Sequence, residues 1–89
     1  MIYHIIWDSQ PRDFLKKLDN RDALRIINKI NQIADNPYRY LEPLAGIKSF
    51  KLRIGKHRVL IGMNEKNKTM NILVIGHRKN IYKYIWKNK

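Results

Sequence analysis

Apolar positions along the 89-residue chain change period twice. Residues 2–7, IYHIIW, are rich in β-branched and aromatic side chains and predict a strand. Asp8 or Ser9 then offers a helix N-cap, and Pro11 falls in a first turn, where proline is tolerated. Phe14, Leu15 and Leu18 give this first, short helix one apolar stripe. Asp19-Asn20 breaks and recaps the chain. Ala23, Ile26, Ile27, Ile30, Ile33 and Ala34 recur at helical spacing and predict a second helix ending near Asn36-Pro37. Residues 37–47, with Pro37, Pro43 and Gly46, predict a loop.

From Ser49 the period drops to two. Phe50, Leu52 and Ile54 alternate with Ser49, Lys51 and Arg53, so the two sets lie on opposite faces of a strand. Gly55-Lys56 suits a tight hairpin turn. Residues 57–64 and 69–76 read as two further strands joined by the polar turn 65–68, which makes an antiparallel meander. The N-terminal strand is expected at an edge of that sheet. NIYKYIWKNK at the end predicts a short helix capped by Asn80, with Ile81, Ile85 and Trp86 as its apolar stripe. The fold class is therefore α/β (α+β). A helical hairpin packs on a twisted antiparallel sheet of about four strands, within one domain spanning 1–89.

Charge divides the chain unevenly. Residues 1–42 hold seven Lys/Arg against six Asp/Glu, a net +1, and residues 43–89 hold twelve against the single Glu65, a net +11. An acid-depleted segment that alternates like a sheet reads as a folded cationic surface, which attracts phosphate polyanions. Lys51 and Arg53 would face away from the helices. Arg58 sits across the hairpin from Arg53, where close pairing puts both on one face. The absence of cysteine excludes disulfides, zinc–thiolate sites and a thiol nucleophile. His4, His57 and His77 lack ligand spacing, and no cofactor is implied. MIYHIIWD lacks the basic segment of a leader, and no run approaches the ~20 apolar residues of a membrane span. The expected place of action is the cytoplasm, with no membrane partner.

Leu44-x-Gly46, then Lys51-Leu52-Arg53, Gly55 and Arg58, then Gly76-His77-Arg78 and Tyr82 resemble the RelE-type toxins of prokaryotic toxin–antitoxin systems, within the RelE/ParE superfamily. The resemblance covers nearly the whole chain, including Pro37 after the second helix. It implies a ribosome-dependent endoribonuclease that cuts mRNA in the ribosomal A site. There the RNA 2′-hydroxyl attacks the adjacent phosphate and leaves a 2′,3′-cyclic phosphate. The family's functional positions fall on Lys51, Arg58, Arg78 and Tyr82. One family lysine falls on Ser49, with Lys48 beside it in the opposite strand parity. Arg53, Lys56 and His77 complete the expected RNA-binding set. The implied partners are a RelB-like antitoxin, the ribosome with its rRNA, and mRNA.

The chemistry of these residue types agrees with that implication. Attack by a 2′-oxygen builds negative charge on phosphorus, and Arg58 and Arg78 can meet it with bidentate hydrogen bonds. Lys51 suits a base or proton shuttle. Tyr82 suits stacking on a base or moving a proton. No carboxylate stands among the motif residues, which argues against a paired-acid mechanism. Two other readings fit the same surface: a ParE-like toxin that inhibits gyrase without nuclease chemistry, and a non-catalytic RNA- or ribosome-binding module.

Overall fold

The computed structural model describes residues 2–44 and 48–83. β1 (His4–Trp7) is followed by α1 (Ser9–Lys17) and α2 (Asn20–Ile33). A 3₁₀ turn (Pro37–Arg39) and the two-residue β2 (Glu42–Pro43) precede β3 (Phe50–Ile54), β4 (His57–Asn64) and β5 (Thr69–His77). The sheet order is β1-β5-β4-β3-β2. It has five strands where the periodicity predicts about four, and it is mixed. β3, β4 and β5 form the antiparallel meander, but β1 lies parallel to β5, with His4 opposite Thr69 and Trp7 opposite Ile72. The extra strand, β2, lies inside the expected 37–47 loop and pairs Glu42 with Lys51. A two-residue strand containing proline carries no period, so only its partner reveals it.

Both helices start at the expected residues, but only the second is capped by a side chain; Asp8 stands at the N-cap of α1 without a side-chain capping bond. α1 opens after Asp8, whose backbone N–H donates to Ile72 O at 3.0 Å and fixes the end of β1 to β5. Pro11 is buried in its first turn. The Asp19 carboxylate caps α2 by accepting from the Arg21 N–H at 3.4 Å. Ile26, Ile30 and Ile33 of α2 then bury completely against Leu52, Ile54, Val59, Ile61, Met70, Ile72 and Ile75 of the sheet. Beyond the reach of β1, the Gln10 side chain continues the ladder of β5. Its amide donates to Ile75 O and accepts from Ile75 N, both at 2.9 Å.

A bulge in β5 sets which residues share a face. Leu60 pairs with Val74 and Ile61 with Ile72, so Leu73 is the extra residue. Both Ile72 and Ile75 thereby face the helices, and Gly76 stays opposite Arg58. The turn between β3 and β4 is Gly55-Lys56, with Gly55 at φ 57°. A Cβ on Gly55 would also meet the Arg25 guanidinium at 3.1 Å. Gly55→Ala is therefore expected to destabilise the fold by about 1 kcal/mol. Urea unfolding would show this as a lower midpoint at unchanged slope.

The single acid of the basic half is tied down. Glu65 accepts from Tyr3 Oη at 2.8 Å, from Lys68 Nζ at 3.0 Å and from Tyr38 Oη. These donors hold its carboxyl below the usual carboxylate range. Burial, then the Glu65 hydrogen bond, pushes the Tyr38 phenol up to about 12. The cluster joins the start of β1, the 3₁₀ turn and the β4–β5 turn. Residues 81–83 are helical, with Lys83 N donating to Asn80 O at 3.1 Å. Ile85 and Trp86 lie outside the described residues. Among the described residues, no helix is long and apolar enough to cross a membrane.

Candidate nucleic-acid interface

Strand register assembles the candidate site on the sheet face away from the helices. Antiparallel partners share a face, so Glu42, Lys51 and Leu60 form one row and Arg53, Arg58 and Gly76 the next. Residues 81 and 82 cross this face. Ile81 is fully buried, and a Cβ on Gly76 would meet its Cδ1 at 3.2 Å. Ile81 is thus packed onto the sheet, and it is not part of an exposed apolar stripe. The face is consequently less open than the alternation predicts.

The crossing brings Tyr82 to Lys51. Lys51 Nζ donates to Tyr82 Oη at 3.2 Å, and lies 5.5 Å from the centre of its ring. Tyr82 remains 46% exposed, so it is not core packing. The other neighbour of Lys51 is Glu42, with Oε2 3.7 Å from Nζ; their side chains are 16% and 54% exposed. The lysine therefore stands between a phenol and a carboxylate. Glu42 is the functional candidate that sequence reasoning missed. It lies outside the motif, and the pairing of β2 with β3 is what delivers it.

Arg58 is only 8% exposed. Its Nη1 donates to Gly55 O at 2.7 Å and His57 O at 2.8 Å, so the guanidinium is held against the hairpin turn. Arg53 is exposed directly across the ladder. Arg78 is exposed beside the same turn, with its backbone N–H donating to Lys56 O at 2.8 Å. Lys56, Arg53, Arg58 and Arg78 thus ring the β3–β4 turn. Lys48 is exposed just before β3, and the Ser49 carbonyl accepts from Leu44 N at 3.1 Å. Both lie towards the Lys51 end of the strand.

His77 departs from this face. It pairs with His57 on the helix side, their ring centres 6.3 Å apart, and His57 also packs edge-on against Phe14. Its Nδ1 accepts from the Lys79 N–H at 3.1 Å, which places the neutral ring's proton on Nε2. Partial burial, then the cations of Lys79, Arg78, Lys56 and Arg58, hold His77 below the ordinary histidine value. Burial likewise lowers His57. Among the described residues, no three His, Asp or Glu side chains cluster to hold a metal ion.

The chain has the fold of a toxin from a type II toxin–antitoxin pair. The family model for the ParE toxin of type II toxin–antitoxin systems (parDE) matches residues 5–82. A Methanocaldococcus jannaschii protein named as toxin RelE4 is 35% identical over 74 residues, covering 78% of this chain and 79% of its own. The RelBE2 toxin–antitoxin complex of Mycobacterium tuberculosis superposes with TM-score 0.81 at 25% identity, over 88% of this chain and 100% of that one. A double mutant of Escherichia coli RelE in the free state superposes with TM-score 0.77 at 18% identity, over 96% and 93% of the two chains. The chain belongs to the RelE/ParE superfamily and is a RelE-type toxin.

Proposed function

We propose that this toxin is a ribosome-dependent endoribonuclease acting in the cytoplasm on mRNA in the ribosomal A site. The observation that carries the reading is the Glu42–Lys51–Tyr82 cluster beside Arg58 on one sheet face. In this reading Glu42 takes the proton of the 2′-hydroxyl as O2′ bonds to phosphorus. Lys51, Arg58 and Arg78 donate to the phosphoryl oxygens as charge builds there. The P–O5′ bond breaks, leaving a 2′,3′-cyclic phosphate. Tyr82 Oη already accepts from Lys51, so its own O–H is free to protonate the leaving 5′-oxygen.

Glu42 and Tyr82 are open to solvent, and the cluster lies outside the grooves lined by Arg25 and Lys29 and by Trp7, Leu15 and Ile27. A solvent-exposed site needs its substrate positioned from outside, and correct orientation supplies roughly 7–11 kcal/mol in favourable cases. The ribosome fills that role here. RelB-bound toxins from Mycobacterium tuberculosis and Pyrococcus horikoshii share the fold, and a cognate RelB-like antitoxin is the corresponding partner. Its expected contacts are the cationic face and the apolar groove of Trp7, Leu15 and Ile27.

Primer extension on mRNA from programmed ribosomes tests the function. Codon-phased cuts are expected with ribosomes and none on naked RNA. Inhibition of gyrase supercoiling without RNA cuts would overturn the reading in favour of the ParE-like alternative.

A further inference from the structure

A second cationic feature lies outside the proposed site. The edge of β3 beyond β2, unpaired among the described residues, and the outer side of α2 enclose an open groove of about 520 Å³. Arg25, Lys29 and Arg53 line it, together with the amides of Asn28 and Gln32. The positions 25, 28, 29 and 32 follow one stripe of the helix. Its floor at Gly55 is tightly packed, since a Cβ there would lie 3.1 Å from Arg25 Nη1. Gly55 therefore has the Arg25 guanidinium against its Cα and the Arg58 guanidinium on its carbonyl at 2.7 Å. Lys29 is held 4.7 Å over the Tyr40 ring. Among the described residues the ion pairs are Lys51–Glu42 and Lys68–Glu65, so the groove's cations belong to none.

We infer that this groove is a second phosphate track, taking phosphodiesters of the RNA strand that flank the segment on the sheet face. The inference rests on the reading of that face as RNA-binding. Arg53 gives the continuity, because it is both a member of the sheet face and a wall of the groove. From Lys51 to Arg53 the strand advances by about 7 Å, comparable to one phosphate spacing of an extended strand. The lining also selects the ligand class. Among the described residues Ile54 is the one apolar side chain on its walls, so an acidic peptide finds no anchor there, whereas a phosphate backbone needs only cations and amide donors. The Trp7–Leu15–Ile27 groove offers what a peptide would need.

The test measures binding of non-cleavable 2′-O-methyl RNA, as a trinucleotide and as a nonanucleotide, to the purified toxin across a salt series. Wild type should hold the longer RNA at least tenfold more tightly. Arg25→Gln/Lys29→Gln should lose that increment while binding the trinucleotide as wild type does. Its salt slope on the nonanucleotide should fall by about 1.4, the loss of two phosphate contacts on a single strand. Arg25→Lys should show a partial loss, since it keeps the charge without the planar fork. Lys16→Gln/Lys17→Gln on the exposed end of α1 is the charge-matched control. An unchanged length dependence in the double variant overturns the track. So does an equal loss of binding for oligo-glutamate of matched charge, which would make the groove an unselective anion site. Because neither RNA can be cut, the result is independent of cleavage. Failure of wild type to bind either RNA would instead remove the RNA-binding reading of the sheet face.

Discussion

Replacing Arg78 by alanine is expected to slow single-turnover cleavage on saturated ribosomes by about 10²–10³-fold, the usual effect of removing one transition-state donor. The residue is exposed, and its backbone is pinned to the β3–β4 turn by the bond to Lys56 O. The side chain can therefore be lost without disturbing the core. Ribosome binding should weaken far less, by near one unit of salt slope. Arg78→Lys should recover part of the rate, because an ammonium cannot make the bidentate contact. Lys17→Ala, a cation in the last turn of α1, should leave the rate at the wild-type level. A wild-type rate for Arg78→Ala under these conditions would show that the guanidinium serves binding or folding only.

Glu42→Gln carries the second large effect. Loss of a general base commonly costs 10²–10⁴-fold, and the amide keeps the shape of the carboxylate without its basicity. The substitution also frees Lys51 from its ion pair. A loss of rate could then be blamed on a displaced lysine, so the same substitution in a Lys51→Met background decides. A further loss of rate there assigns the proton to Glu42. No further loss, or a Glu42→Gln variant at full speed, removes Glu42 as the base.

The same two residues show what periodicity could and could not reveal. Strict alternation in β3 places Lys51 and Arg53 opposite Leu52 and Ile54, and the structure keeps that parity. The helix positions Ile26, Ile30 and Ile33 are likewise legible, because burial there follows one stripe. Three features were not legible, each for a physical reason. The run Ile72-Leu73-Val74-Ile75 is continuously apolar, so no alternation marks the bulge at Leu73. That bulge turns His77 towards the helices and away from Lys51. Glu42 enters the site only through a partner strand. Arg58 reads as a surface cation, yet two carbonyls of the hairpin draw it in. Tyr82 was legible by its motif, but its contact with Lys51 depends on Ile81 packing over a glycine.

The parallel pairing of β1 with β5 also governs when the molecule comes into being. His4 has no strand partner until Thr69 has been made, and the Gln10 clasp waits for Ile75, 65 residues later. Closing so long a loop costs roughly 4 kcal/mol of chain entropy before any contact repays it. Folding of such non-local topology is correspondingly slow. The helical hairpin can form early, but its apolar side has no sheet to cover it until β3, β4 and β5 emerge. A nascent chain therefore lacks both the cationic face and the Tyr82 crossing for most of its synthesis. Assembly is thus set by the arrival of β5, and a chain cut short before Ile75 holds neither β1 nor the Gln10 clasp in place.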